Sequence, residues 1–310
     1  MGLSPDLFKR LSRLNRNRLR ENLTRGGEAS PRDAACQNPV AGGESIVLEE
    51  LIPGEQRDAF GGRFYLIRRQ AEELSRPAAA GAGEGPQTTG GDLLSRYRRA
   101  FFGAGLAASA DQFHEDIRPL IAADPPAVTY LDIETCGLAG EPLFLVGLLR
   151  YDDGALLIEQ FLARDYSEEG PVLAAVWEQL ATTACLVTYN GKTFDMPFVA
   201  ARSLACGLFN CPTVPEHVDL LFEARRRWKG FLPNCRLQTV EQFICSRRRA
   251  GDIPGGDIPA AYHEFVRASQ ADDPARRSRS LRRLQTILHH NALDLLTMAD
   301  LSARILSGSA

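Results

Sequence analysis

The sequence predicts an α/β protein: a mixed central sheet flanked by helices, behind a partly disordered N-terminal region. Three observations lead there. From Pro126 onward, short apolar runs of strand type alternate with stretches of helical spacing. The residues before that point are more polar and irregular, with Gly, Ala and Pro concentrated in two stretches. Acidic residues also recur at the ends of apolar runs, where packing alone would not favour them.

Composition allows such a fold. The 310 residues can hold one large domain or two modest ones. Apolar residues make up 44% and charged residues 24%, which places the chain among globular proteins and outside the disordered classes. A formal net charge of −3 singles out no partner. No apolar run approaches the roughly 18 residues that span a bilayer, so no membrane partner is expected. The start MGLSPDLFKRLSRL lacks the apolar centre of a secretory signal, and Asp6 stands where an acylation signal needs Ser or Thr. The expected location is cytoplasmic, although an Arg-rich, acid-poor leader is also compatible with an organelle transit peptide. The cysteine count is an odd 7 and no C-x-x-C occurs. Cys206 and Cys211 form one loose pair that His217 could join, so neither disulfides nor structural zinc are expected.

The elements follow in order. Ser4-Pro5-Asp6 is a helix-start signal, with Leu7, Leu11 and Leu14 on one face and Lys9, Arg10, Arg13, Arg16 and Arg18 around them. Residues 24–44 are expected to be mobile. SIVLEELIP and GGRFYLIRRQ read as β-like runs, giving a small β patch at about 44–72. RPAAAGAGEGPQTTGG (76–91) is a low-complexity linker, and LLSRYRRAFFGAG a helix leading into the main domain. The expected division is an N-terminal region, 1–109, and a domain, 110–310.

Within the domain, AVTYLDIET is a strand run. PLFLVGLLRYDDGALLIEQFLA gives two strands joined at Asp152-Asp153-Gly154. EEGPVLAAVWEQLATT is helical, ACLVTYN a buried strand and FDMPFVAARSLACGL a second helix. HVDLL, ARRRW, RLQTVEQFI and the long helix SLRRLQTILHHNALDLLTMADLSARIL complete the chain.

Asp132 and Glu134 are two apart on a strand, so they share one side of an otherwise apolar run. Their mutual repulsion and lost hydration would both be relieved by a cation between them. A solvated strand end is the alternative reading. Asp195 follows ACLVTYN within N-G-K-T-F-D, either as a helix cap or as a third carboxylate at a strand's carboxyl end. In that loop Asn190 and Lys192 could contact a phosphate or organise the turn. Asp294 sits in an apolar helix, with His289 and His290 about one turn before it. Convergent oxygens of this kind suit hard divalent cations.

The stretches YLDIETCGL, FLVGLLRY, LVTYNGKTFDMPFV, HVDLLFEARRRWKGFLPNCRLQTVEQFI, DIPGGDIPAAY and HHNALDLLTM resemble the DEDD exonuclease branch of the ribonuclease H-like superfamily, and within it the YprB-type domains. The resemblance covers roughly residues 126–306 and implies a ribonuclease H-like fold. It also implies hydrolysis of a nucleic-acid phosphodiester, usually from a 3′ end, with two divalent cations, Mg²⁺ or Mn²⁺. By position, Asp132, Glu134, Asp195 and Asp294 match the four acidic ligands. In this superfamily a His five positions before the last Asp, or a Tyr four before it, helps activate the attacking water. His289 occupies the first position and His290 the second. The string HHNALD resembles the H-N-x-x-D of YprB-type domains and favours His290, with His289 as the alternative.

Between Arg225 and Arg249 stand eight basic residues and one acid, Glu241. Arginine beside aromatic rings suits phosphates and unstacked bases, although a solvated helix face also takes arginine readily. Arg225, Arg226, Arg227, Trp228, Lys229 and Arg236, with Asn190 and Lys192, are therefore the candidate nucleic-acid contacts. A second cluster is Arg276, Arg277, Arg279, Arg282 and Arg283. No nucleophilic Ser or Cys motif and no phosphate-binding P-loop occurs, so ATP dependence is not expected. The expected function is a metal-dependent 3′–5′ exonuclease acting on single-stranded DNA or RNA ends. A non-catalytic or weakly active nucleic-acid-binding module of the same fold is the reading from another class. A structure-specific endonuclease is a narrower alternative.

Overall fold

The computed structural model describes residues 47–75, 90–103, 106–138, 140–249 and 251–308. The basic helix expected near residues 4–18, the stretch 24–44 and most of the linker lie outside the described residues. Seven strands build one sheet: β1 (Glu55–Ala59), β2 (Gly62–Gln70), β3 (Val128–Thr135), β4 (Leu143–Asp152), β5 (Ala155–Leu162), β6 (Cys185–Thr188) and β7 (Glu216–Asp219). Their spatial order is β1-β2-β5-β4-β3-β6-β7. β3 runs antiparallel to β4 and parallel to β6, which in turn is parallel to β7. The mixed sheet is thus as the sequence predicts.

The helices are α1 (Leu48–Leu51), α2 (Gly90–Phe102), α3 (Arg118–Ala122), α4 (Glu169–Leu180), α5 (Asp195–Ala205), α6 (Leu220–Trp228), α7 (Leu237–Phe243), α8 (Ile258–Ser269) and α9 (Pro274–Ser307). Local chemistry explains their limits. At the β4–β5 hairpin, Asp153 and Gly154 take φ values of 42° and 82°. Two positive φ angles in a two-residue loop match the twist of the flanking strands. α9 is 34 residues long and opens on Asp273, whose carboxylate accepts from the Arg276 amide at 3.0 Å, followed by Pro274. It closes on Gly308 in the left-handed conformation, φ 68°.

One expectation changes. Within SIVLEELIP, Leu48–Leu51 is a single helical turn rather than a strand, with Glu49 and Glu50 at its positive end. The partner of β2 is instead Glu55–Ala59, reached through Phe60 and Gly61 at φ 49° and 71°. Phenylalanine is not a turn-forming residue by type, which hid this hairpin from a reading of composition. β2 pairs with β5 from Tyr65↔Leu162 to Gln70↔Leu157, so the small β patch is the edge of the central sheet. The described residues from Val47 onward belong to one compact unit.

Packing places the acids. Leu131 and Ile133 join an apolar cluster built with α4, α5 and α8, whereas Val128 and Tyr130 join a second one with α2, α6 and the later turns of α9. Asp132 and Glu134 continue the alternation begun by Val128 and Tyr130 and meet α9.

Candidate active site

β3 is flanked on both sides by other strands, and its register against β4 shifts between Glu134 and Thr135. The pleat puts the Asp132 and Glu134 carboxyls on one side near the strand's carboxyl end. β6, parallel to β3, ends at Thr188, and the following loop delivers Asp195 as the first residue of α5, only 6% exposed. α9 contributes Asp294. Burial and the charge of Asp294 hold both Asp132 and Glu134 well above the ordinary carboxylate range, and Asp195 pushes each further. Burial also raises Asp195, to about 7, against backbone hydrogen bonds that pull it down. The four acids are therefore within electrostatic reach of one another.

The loop before Asp195 is tied down by a residue outside the motif. Buried Asp219, at the end of β7, accepts from the Asn190 amide at 2.7 Å, the Lys192 amide at 3.1 Å and the Leu221 amide at 3.0 Å. Asn190 adopts φ 69°, and a Cβ on Gly191 would collide with the Thr188 side chain. The Asn-Gly pair is required by that turn.

Asp132 is oriented from α9. Asn291 donates to its carboxylate at 2.8 Å, and Gln160 on β5 donates to the Asn291 side-chain Oδ1 at 2.8 Å and to the Leu288 backbone carbonyl at 2.8 Å. Arg69 on β2 donates in turn to Gln160. By contrast, Glu134 has no hydrogen-bond partner among the described residues.

His290 is the imidazole that faces the acids. Its Nδ1 lies 2.8 and 2.9 Å from the two Asp252 carboxylate oxygens, and its Nε2 lies 3.5 Å from Asp294 Oδ2. His289 is half-buried, and burial, with nearby Arg69, lowers its proton affinity. Arg249 completes the cluster: its guanidinium donates to Glu241 at 2.5 Å, to Asp252 at 3.2 Å and to Asp294. Sequence reasoning missed Asp252, Arg249, Asn291, Gln160 and Asp219. Asp219, inside HVDLL, Asp252, inside DIPGGDIP, and Asn291, inside HHNALD, lay in motifs that could have flagged them; Gln160 and Arg249 did not.

The donor set is all carboxylate oxygen, partly desolvated and mutually repelling, and among the described residues Glu134 makes no hydrogen bond. That chemistry suits hard divalent cations. Among the described residues no three His, Cys, Asp or Glu side chains enclose a single ion as they stand. Asn291 engages Asp132 and Arg249 engages Asp294, so the neutralising contacts come from protein groups.

Residues 129–306 match the model of the RNase H superfamily. The chain belongs to that superfamily. A relative, the Bacillus subtilis (strain 168) protein YprB, described as uncharacterized, is 35% identical over 189 residues, 58% of this chain. The chain spans 43% of the length of that relative. These matches make it a YprB-type RNase H-like domain protein. Among solved structures, the family B DNA polymerase of the hyperthermophilic archaeon Pyrobaculum calidifontis aligns with a TM-score of 0.45 and 20% identity, over 58% of this chain and 24% of that one.

In this RNase H-like domain the basic candidates divide sharply. Arg226 pairs with Asp116 at 2.7 Å and with buried Glu223, and Arg227 pairs with Glu223 at 2.5 Å. Trp228 is 8% exposed and packs in the core, so its ring does not offer a face to a base; Phe231, at 86%, is the exposed aromatic. The amphipathic turn of α6 puts Trp228 on the same side as Leu220, Leu221 and Ala224, which explains the difference. Asn190, Lys192, Arg225, Lys229 and Arg236 are all exposed. No helix among the described residues is long and apolar enough to cross a membrane.

Proposed function

We propose that this domain is a metal-dependent nuclease, most plainly a 3′–5′ exonuclease on single-stranded DNA or RNA ends. The observation that carries the reading is the convergence of Asp132, Glu134, Asp195 and Asp294, from a strand, a loop–helix junction and a distant helix, beside His290. Those four carboxylates would hold two divalent ions, Mg²⁺ or Mn²⁺, which when bound supply Lewis acidity at phosphorus and make water a better nucleophile. The chain's own groups do the rest. Asp252 accepts from His290 Nδ1–H and so fixes the tautomer whose Nε2 carries a lone pair toward Asp294. His290 Nε2 then takes a proton from the attacking water. Asn291 aims Asp132, and Asp219 holds the loop that aims Asp195. No covalent enzyme intermediate is needed, because water displaces the leaving 3′ oxygen directly.

One observation favours the second reading, a nucleic-acid-binding module with little catalysis: Arg249 already neutralises Asp294. A time course on end-labelled DNA and RNA oligonucleotides, with Mg²⁺ or Mn²⁺, separates the readings. A ladder shortening from the 3′ end is the expected result, and Asp132→Asn abolishes it while the circular-dichroism spectrum is retained. Discrete internal cuts mean an endonuclease. Retention of the strand without cutting means a binder. Wild-type cleavage by a folded Asp132→Asn protein would sink the assignment of the acids.

A further inference from the structure

Beside the acids, the loops that follow β6 and β7 enclose a cleft of about 410 Å³, lined by Tyr189, Asn190, Leu221, Arg225, Arg236 and Leu237 among others. β6 and β7 are parallel to β3, so this cleft opens at the same carboxyl edge as Glu134 and Asp195. α/β sheets bind ligands at that edge. The volume falls in the range of about 300–1,000 Å³ typical of small-ligand sites.

Its walls are built before any ligand arrives. The Tyr189 hydroxyl donates to the Cys235 carbonyl at 2.6 Å, tying the β6 loop to the segment before α7. Asn234 Oδ1 accepts from the Arg236 amide at 2.9 Å and the Thr239 hydroxyl at 2.8 Å, fixing the other wall. Asn190 joins the cleft to the acid site, since its carbonyl accepts from the Phe194 amide at 3.0 Å, directly before Asp195. The floor is mostly apolar, from Tyr189, Leu221 and Leu237, and two cations stand over it. Neither Arg225 nor Arg236 has a carboxylate partner among the described residues, whereas neighbouring Arg226 and Arg227 are both neutralised. Two uncompensated guanidiniums over an apolar floor match an anion joined to a flat heterocycle.

Resting on the nuclease reading, we propose that this cleft seats one unpaired nucleotide unit upstream of the bond at the acids, its base against Tyr189, Leu221 and Leu237 and its phosphate between Arg225 and Arg236. A paired base cannot enter, so the cleft selects single strands over blunt duplex. The direct test is fluorescence anisotropy of the full chain with a 12-nucleotide single strand and with a blunt duplex, in chelator so that nothing is cut. Arg225→Ala/Arg236→Ala should weaken single-strand binding about tenfold or more. The log–log salt slope should fall by about 0.7, the value for one phosphate no longer neutralised. Duplex binding should hold steady, and Arg226→Ala/Arg227→Ala should change either affinity little. All four arginines are at the surface, and matching circular-dichroism spectra confirm folding. Wild-type affinity in the first double variant, or equal weakening for single strand and duplex, overturns the proposal. Because no cleavage is read, an inactive wild type would defeat the nuclease reading while leaving this result to stand or fall by itself.

Discussion

His290 has both ring nitrogens engaged, Nδ1 by Asp252 and Nε2 toward Asp294, while His289 lies nearer Arg69. Adjacent positions on a helix point about 100° apart, so the two imidazoles cannot share one task. At saturating Mg²⁺, His290→Ala should cut turnover by roughly 10²–10⁴-fold with metal binding retained. Asp252→Asn should give a smaller loss in kcat at little cost in KM, since it frees the ring without removing it. His289→Ala should lower the melting temperature and leave the rate per folded molecule near wild type. If His289→Ala carries the rate loss instead, the assignment of the two histidines reverses. At this scale the sequence was legible wherever a residue broke its own element's pattern. Asp132 and Glu134 interrupt an apolar strand, and Asp294 an apolar helix. Arg249 was not legible, because it reaches the site from an irregular segment where a charged residue violates nothing. Trp228 misled for the opposite reason: its type suggested a contact, but its phase on α6 buried it.

Among the elements, α9 must lie close enough to the sheet for Asn291 to reach Asp132, and a glycine on β4 permits it. A Cβ at Gly147 would collide with Asn291 Oδ1 and stand 2.8 Å from Leu295 Cδ1. Gly147 is also the cross-strand neighbour of both Asp132 and Gln160, so any shift of α9 is felt by the whole hydrogen-bonded chain from Arg69 to Asp132. Gly147→Ala should therefore cost about 1–3 kcal/mol of stability by overpacking, and it should depress activity beyond what the folded fraction explains. Denaturant unfolding with a parallel rate measurement checks both; unchanged values would show that the helix can lift without consequence. Periodicity exposed the long elements, β3 to β5, α4, α5 and α9, since each repeats its pattern over several turns or pleats. α1, β1 and β7 are four or five residues long. A segment that short is decided by its partner, as β1 is by β2, and no local pattern announces it.

Over the whole molecule, the fold gathers acids at the end of β3 and offsets them with little more than Arg249, so metal-free stability must depend on pH. Asp195, raised to about 7 mainly by burial, keeps its proton to higher pH when folded than when unfolded. The folded state then binds more protons across the window between the ordinary carboxylate value, about 4, and about 7, and stability falls as pH rises through that window. Asp132 and Glu134 are displaced in the same direction. Asp195→Asn removes one titrating group and one share of the repulsion. In chelator, the melting temperature of Asp195→Asn relative to wild type should therefore rise from pH 4 to pH 8 and level off above. Divalent ion reverses the comparison at the upper end: wild type gains stability by mass action on Mg²⁺ or Mn²⁺, whereas the variant, lacking one oxygen donor, gains less. The measurement is a set of thermal melts at each pH with and without the ion. A wild type whose melting temperature ignores Mg²⁺ and Mn²⁺ at pH 8, with the gap to Asp195→Asn constant across the range, would mean that Arg249 and Asn291 already satisfy the acids, and the binding-module reading would then displace the nuclease.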